Sequence, residues 1–173
     1  MNAKRLAVNG MLSAMCAVLG YLSLDMGNLK ITFESLPILL GAILLGPIDS
    51  LAIGGIGTLI YQLLRYGVTV TTPLWMLPYM LCGFAAGFYA QKKDFQLSRW
   101  QIMGIVAVCE LLVTLLNTGV IYVDSRIYGY YSAAYVFGSL GVRLIICAGR
   151  AVAFGLVLPI IIGALRRQGG EVR

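Results

Sequence analysis

The sequence predicts an all-α membrane protein, a compact bundle of six transmembrane helices with both termini in the cytoplasm. Three observations lead to this prediction. Of the 173 residues, 60% are hydrophobic and only 12% are charged, and the mean hydropathy of +0.88 excludes an ordinary soluble domain. The hydrophobic residues fall into six stretches separated by polar, Gly or Pro breaks. The Lys and Arg residues gather on one side of these stretches.

The six predicted spans follow one another with short connections, so the chain forms one integral-membrane domain over residues 1–173. Their bounds are 6–24, 31–45, 50–64, 73–90, 100–123 and 138–165. The first is longer than a signal-peptide core and no clear cleavage site follows it, so we interpret it as a retained span. Several spans are shorter than the roughly 20 residues that cross hydrocarbon directly, and they contain Gly and Pro. This pattern indicates kinked helices packed around an internal pocket.

The orientation follows from the placement of the basic residues. On the predicted cytoplasmic side lie Lys4, Arg5, Lys92, Lys93, Arg99, Arg166, Arg167 and Arg173. The predicted outer side holds only Lys30, Arg65 and Arg126. This positive-inside asymmetry places both termini in the cytoplasm. Because most of the +6 charge lies at span ends, it faces the lipid bilayer, and nucleic acid is not a predicted partner.

The last predicted span carries two cations, Arg143 and Arg150, in an otherwise apolar run. Seven residues are nearly two helical turns, so both guanidiniums share one face, about 10 Å apart along the axis. A buried membrane charge requires a partner, a water-filled cavity or a ligand. Arg143 could alternatively reach the headgroups. Arg150 could pair with Glu34 or Glu110. Glu110 is predicted to lie nearer the middle of the membrane than Arg150, which weakens the pairing with Glu110.

Polar and aromatic residues from different spans are predicted to converge at one depth, in the outer half of the bundle. They are Glu34, Trp75, Tyr79, Asn117, Arg143 and Arg150. Such a convergence is typical of a ligand pocket open to the exterior. Asn117 could also serve only as a hydrogen-bonding link between helices. The tyrosines of the connection after the fifth span are interpreted as an interfacial belt, and only Trp75 and Tyr79 are expected to reach inward. Those belt tyrosines are Tyr128, Tyr130, Tyr131 and Tyr135.

The first span carries two pairs of small residues at a spacing of four, which leave flat stripes for another helix. The pairs are Gly10 with Ala14, and Ser13 with Ala17. The neighbour could be a helix of the same bundle or a partner protein.

Enzymatic chemistry finds no support in the sequence. The chain contains no His, its four Cys residues are scattered singly through apolar runs, and its glycines at 54–57 lack the Lys-Ser/Thr of a P-loop. We therefore predict no catalytic residues, no metal site and no cofactor. If the protein is a transporter, it must take its energy from a partner protein or work passively, because the chain holds no P-loop.

Four stretches of the sequence, together with the small-residue spacing of the first span, are similar to a known family. The stretches are "LKITFESLPILLGAILLGP" from residue 29, "LCGFAAGFYA" from 81, "LLNTGVIY" from 115 and "LGVRLI" from 140. With these features the whole chain resembles the substrate-binding S components of energy-coupling factor (ECF) vitamin transporters, most closely the folate-type members. The resemblance implies a plasma-membrane protein that binds a vitamin outside and works with a membrane coupling subunit and two cytoplasmic ATPases.

The resemblance also implies roles for individual residues. Gly10, Ser13, Ala14 and Ala17 would contact the coupling subunit, and the loop with Asn28 and Lys30 would cover the pocket. For a folate, Trp75 would contact the pterin ring, the Asn117 amide the central part, and Arg143 with Arg150 the glutamate. Two alternatives remain: another ECF cargo, such as cobalamin or a queuosine precursor, or a non-transport membrane subunit that assembles through its small-residue faces.

Overall fold

The computed structural model describes residues 3–26 and 29–167, and at residues 25, 26, 29 and 30 it describes only the backbone. The elements are α1 Ala3–Tyr21, β1 Leu24–Met26, β2 Leu29–Ile31, α2 Ser35–Leu44, α3 Pro47–Tyr66, α4 Thr72–Lys92, α5 Arg99–Ile127, α6 Ala133–Phe137 and α7 Leu140–Arg167. The predicted all-helical bundle is confirmed. Its six longer helices are joined, within the described residues, by two short strands and the five-residue α6.

Local sequence explains where two of the helices begin. Gly46 adopts a φ of +105°, a conformation that favours glycine, and the chain then enters α3 at Pro47. Ser98 caps α5 reciprocally with Gln101: the Gln101 amide donates to Ser98 Oγ at 3.3 Å, and the Ser98 amide donates to Gln101 Oε1 at 2.9 Å. Both boundaries lie within a few residues of those predicted.

The helices alternate in direction, which gives the bundle two different ends. We call the end with the β1–β2 strands, the α3–α4 connection and residues 128–139 the hairpin end. The opposite end, here the basic end, holds the start of α1 and the end of α7, where Arg166 donates to the carbonyl of Phe95. Which end faces the cytoplasm stays a prediction from charge.

The second helix is short and central. Eight of the ten residues of α2 are buried, and ten residues extend only about 15 Å, roughly half the thickness of the hydrocarbon core. The prediction of a span from residue 31 is wrong, because residues 29–31 form β2 and the helix begins at Ser35. In the described part of the chain, three helical segments are long and apolar enough to cross a membrane: Pro47–Tyr66, Arg99–Ile127 and Ala133–Arg167.

The polar break predicted at residues 25–30 forms an antiparallel hairpin. Leu24 pairs with Ile31, and Asp25 pairs with Lys30. The prediction lacked these strands because three-residue strands leave almost no periodic signal. Asn28 lies outside the described residues, as does the side chain of Lys30, so the predicted covering role of this loop remains a prediction.

Glycines of α3 and α4 allow close helix contacts. A Cβ on Gly57 would lie 3.0 Å from the carbonyl oxygen of Ser13 in α1, and one on Gly83 would lie 2.8 Å from that of Ser50. Ser50 Oγ donates to the Gly83 carbonyl at 2.7 Å. The Gly-rich third span is therefore the element against which α1 and α4 pack.

The two small-residue stripes of α1 have different surroundings. Ser13 and Ala17 are each only 5% exposed, because their side of α1 packs inside the bundle. Packing within the same bundle, one of the two alternatives, therefore describes these two residues, and their contact with a partner protein stays a prediction. Gly10 and Ala14 are exposed, and no heavy atom would lie within 4 Å of a Cβ on Gly10. The role of Gly10 and Ala14 stays a prediction.

An ion pair fastens α1 to the start of α3 at the basic end. Arg5 donates through Nε to Asp49 at 2.9 Å and through Nη2 to the Leu45 carbonyl at 3.1 Å. Asn9 Nδ2 donates to the other Asp49 oxygen at 2.6 Å. Asp49 lies in the first turn of α3, where a negative charge interacts favourably with the helix dipole. Arg5 thus has a structural contact besides the role in orientation that its charge predicts.

Candidate ligand-binding site

A cavity of about 520 Å³ lies at the hairpin end of the bundle. Its wall combines residues from β2–α2, α3, α4, α5, α7 and the connections at that end. They are Thr32, Glu34, Tyr61, Gln62, Tyr66, Thr69, Thr71, Trp75, Tyr79, Thr114, Asn117, Ile121, Asp124, Tyr128, Tyr130, Tyr135, Arg143, Ile146 and Arg150. Both charged and aromatic groups are present.

The structure brings all six residues that we predicted as substrate contacts to this wall. They are Glu34, Trp75, Tyr79, Asn117, Arg143 and Arg150. They come from three helices, α4, α5 and α7, and from the segment before α2, as expected for a pocket inside a bundle. Their contact with a ligand stays a prediction.

Arg143 lies near the hairpin end of α7, on the side of the helix that faces the cavity. It is half-buried and shares this side with Ile146 and Arg150, which also line the cavity. Arg143 therefore places a positive charge in the cavity wall. Its alternative contact with the lipid headgroups stays a prediction.

Arg150 forms a buried ion pair with Glu110 of α5. Arg150 Nη2 lies 2.7 Å from Glu110 Oε2, and the side chains are 11% and 0% exposed. Ser35 Oγ donates to the other Glu110 oxygen, and Arg150 Nη1 donates to the Thr32 carbonyl at 3.0 Å. Of the alternatives left open, pairing with Glu110 is the one realised. The inference that depth weakens this pairing is wrong, because a long arginine side chain spans the difference in depth.

Tyr79 is the centre of a polar cluster on the cavity floor. Its hydroxyl is 3.4 Å from Thr32 Oγ1 and 3.4 Å from Asn117 Nδ2, and it also hydrogen-bonds with Glu34. Tyr79 is only 5% exposed. Asn117 therefore links α5 to α4 by a hydrogen bond, as one of its two interpretations predicted. It also lines the cavity.

Three of the tyrosines predicted as an interfacial belt line the cavity instead, namely Tyr128, Tyr130 and Tyr135. Gly129, at a φ of +76°, turns the chain back after α5. The Tyr130 and Tyr135 rings are in edge-to-face contact with centroids 5.6 Å apart.

Tyr130 is held at the cavity by Asp124, to which its hydroxyl donates. Burial raises the pKa of Tyr130, and the hydrogen bond to Asp124 raises this pKa further. Tyr131 is different: Arg126 lies over its ring at 4.0 Å from the centroid, and the ring does not line the cavity.

The α3 side of the cavity was missed by the sequence prediction. Tyr61 and Gln62 are buried at 2% and 7% exposure, and Tyr66, Thr69 and Thr71 continue the wall. The available signal was the pair Tyr61-Gln62, two polar groups near the hairpin end of an otherwise apolar, Gly-rich helix.

The cavity has the chemistry of a binding site for an organic molecule with a charged group. Aromatic rings supply flat apolar surface, an amide and hydroxyls supply hydrogen bonds, and Arg143 supplies a positive charge. Within the described residues, no group of three His, Cys, Asp or Glu could hold a metal ion. The described cysteines are free and buried.

Comparisons with known proteins agree with this architecture. The sequence model of the family described as "ECF transporter, substrate-specific component" matches residues 4–165. The crystal structure of FolT bound with folic acid has a TM-score of 0.69 at 21% identity, covering 93% of this chain and 96% of FolT. The S-component for biotin from an ECF-type ABC transporter has a TM-score of 0.73 at 19% identity, covering 99% and 97%. No curated protein sequence matches.

The two structural likenesses, at these identities, establish the fold: a membrane helical bundle over nearly the whole chain. The family match covers most of the sequence, and its members are transporter components rather than enzymes. Together with the apolar helices, it identifies a multi-pass protein of the plasma membrane. The chain belongs to the family of substrate-specific (S) components of ECF transporters.

Proposed function

We propose that this S component captures a water-soluble vitamin from outside the cell and delivers it inward, with a folate-type vitamin as the first choice. The observation that carries the proposal is the 520 Å³ cavity, which brings Arg143, an amide and several aromatic rings to one wall. This volume falls in the range of about 300–1,000 Å³ that holds organic ligands of vitamin size.

Each part of the wall suits a different part of such a ligand. Arg143 would bind a carboxylate, and its position close to the hairpin end suits a flexible acidic tail. Trp75 and Tyr79 would contact the ring system, and Asn117 its polar edge. Arg150 and Glu34 would complete the floor, where Arg150 is already neutralised by Glu110.

Biotin is the second candidate, because the biotin S-component has a TM-score of 0.73 and covers nearly the whole chain. Biotin also carries a carboxylate and a compact ring with polar edges. Cobalamin and a queuosine precursor remain alternative candidates, as other ECF cargoes.

Delivery needs partners, because the sequence holds no ATP-binding loop. We propose a membrane coupling subunit and two cytoplasmic ATPases. The exposed Gly10 and Ala14 on α1 form the small-residue stripe on which the coupling subunit would pack. With the basic end in the cytoplasm, the cavity opens to the exterior, and the hairpin with Asn28 and Lys30 would cover it.

The proposal is tested by expressing the chain alone in vitamin-rich medium, purifying it, and identifying bound small molecules by mass spectrometry. Titration with a vitamin panel follows, read by tryptophan fluorescence. Trp75 lines the cavity, whereas Trp100 lies 80% exposed at the start of α5. We expect a folate or biotin to quench the emission, and Trp75→Phe to abolish the response while binding of radiolabelled vitamin persists. Absence of every co-purified and titrated vitamin would refute the proposal.

A further inference from the structure

The basic end of the bundle carries a group of cations that vitamin binding at the opposite end does not use. Five exposed cations come from the ends of three helices, α4, α5 and α7. They are Lys92, Lys93, Arg99, Arg166 and Arg167. Asp94 is the one carboxylate in the connection between α4 and α5, and it is also exposed. We call the five cations the basic patch, and its charge is complementary to an anionic partner.

The short connection from α4 to α5 holds these helix ends together. Phe95 packs against the hydrophobic core, and its amide donates to the Ala90 carbonyl at 2.8 Å. Asp94 and Phe95 both adopt left-handed conformations, at φ values of 48° and 58°, which reverse the chain tightly. Arg166 donates to the Phe95 carbonyl, which ties the end of α7 to this connection. Charges from three helices therefore lie on one surface.

The helix dipoles account for part of the basic patch but not for Arg99. A cation in the last turn of a helix interacts favourably with the dipole, and Lys92, Arg166 and Arg167 occupy such positions. Arg99 stands instead in the first turn of α5, where the dipole is positive and no acidic residue is present. Because Arg99 adds to a positive potential, an anion from outside the chain would stabilise it.

Exposed aromatic rings border the basic patch on α4 and α5. Trp100, the neighbour of Arg99, is 80% exposed. On α4 the Lys92 ammonium lies 4.6 Å from the centroid of the Phe88 ring, which is 46% exposed. In membrane proteins, Trp rings favour the boundary between the hydrocarbon and the headgroups. The patch therefore combines cations for a phosphate with apolar surface for acyl chains.

We propose that the basic patch binds the headgroup phosphate of an anionic phospholipid, with Lys93, Arg99 and Arg167 as the contacting cations. Trp100 would lie against the acyl chains. Among the described residues, none of these three cations forms an ion pair. A lipid fits the patch better than an acidic protein surface does, because the neighbouring aromatic rings are exposed on membrane helices. This site is independent of the vitamin.

The test uses Trp100 as a local probe. The chain contains two Trp residues, so Trp75→Phe leaves Trp100 as the only indole. The full chain is reconstituted into phosphatidylcholine vesicles with a minor fraction of phosphatidylglycerol, the same in both leaflets, so that either orientation is measured alike. We expect phosphatidylglycerol with brominated acyl chains to quench Trp100 as if enriched at least about threefold over its bulk fraction. Brominated phosphatidylcholine at the same mole fraction should quench only in proportion to its bulk fraction.

Substitutions then locate the enrichment. Lys93→Gln/Arg99→Gln/Arg167→Gln should lower it below about 1.5-fold, because each lost cation weakens the attraction of an anionic lipid. Arg126→Gln is the control, since Arg126 is exposed at the hairpin end and should not affect Trp100. Native mass spectrometry of the unsubstituted protein is a second measurement, which needs no variant. We expect it to retain phosphatidylglycerol in preference to phosphatidylcholine.

Several results would overturn this proposal. They are equal quenching by the two brominated lipids, an enrichment that survives in the triple variant, an equal loss in Arg126→Gln, and no preferential retention in native mass spectrometry. Binding of the cytoplasmic ATPases to the basic patch, without any lipid preference, would make it a protein-docking surface and would also overturn the proposal.

Discussion

The buried pair Arg150–Glu110 makes the sharpest prediction about stability. Glu110 is 0% exposed and lies 2.7 Å from a guanidinium that is itself 11% exposed. Glu110→Gln keeps the shape of the side chain and removes its charge. Arg150 is then an uncompensated cation whose other hydrogen bonds go to the carbonyl and the hydroxyl of Thr32. Arg150→Met leaves the opposite charge, on Glu110, uncompensated in the same way.

The magnitude follows from the burial of both partners. Removing one member of a buried ion pair costs about 3–5 kcal/mol, whereas replacing both by apolar groups is often neutral. We therefore expect each single variant to lose about 3–5 kcal/mol of unfolding free energy, and Glu110→Leu/Arg150→Met to lose far less than the sum. On the scale of soluble domains of this length, the single variants correspond to a fall in Tm of roughly 6–20 °C.

The assay is thermal unfolding of the purified protein in one detergent, at one protein concentration and without added vitamin. Thr118→Val serves as the matched control in α5, because its hydroxyl bonds only within that helix. Additive losses in the double variant, with no coupling between the two positions, would refute the ion pair as a stabilising feature of the bundle.

Three further outcomes follow from the packing and the cavity wall. Gly57→Leu should destabilise the bundle by about 1–3 kcal/mol, because the new side chain would collide with Ser13 of α1. Gly10→Leu is the control and should leave Tm unchanged, because Gly10 is exposed. Equal effects of the two substitutions would contradict the assigned helix contact. Tyr130 should stay protonated as pH rises past about 10, the ordinary tyrosine value. The raised pKa favours the neutral form, so the contribution of Tyr130 to stability is complete below that pH and is lost at higher pH. Tyr130→Phe should therefore leave the phenolate absorbance at pH 10 unchanged, and a loss of one tyrosine's signal would contradict the assigned hydrogen bond from Tyr130 to Asp124. Arg143→Lys, which keeps the charge but not the paired donors, should weaken vitamin binding less than Arg143→Ala; identical losses would mean that charge plays no part.

Much of the architecture was predictable because the bilayer constrains the sequence directly. Apolar runs, Pro and Gly breaks and basic residues at span ends are physical requirements of a membrane bundle, and they gave the helices to within a few residues. The convergence of Arg143, Asn117 and Trp75 was predictable for a related reason: polar groups inside a span are costly unless they face a common interior.

The remainder depended on contacts that no local pattern records. The hairpin at Leu24–Ile31 consists of strands too short to show a period. The choice of Glu110 over Glu34 as the partner of Arg150 depends on the reach of a flexible side chain across two packed helices. The cavity-lining position of Tyr130 depends on a reversal at Gly129, and composition alone cannot distinguish it from a tyrosine at the membrane surface.

The central claim is that this S component binds an anionic vitamin in the cavity at the hairpin end, with Arg143 on the carboxylate. Its most direct test is the equilibrium Kd of folic acid and of biotin for the purified protein and for Arg143→Ala. We predict that at least one of the two binds, and that the variant loses at least about 30-fold in affinity, as expected when a charge-assisted hydrogen-bonded pair loses one partner. Binding of neither vitamin, or equal affinity in the variant, would contradict the claim.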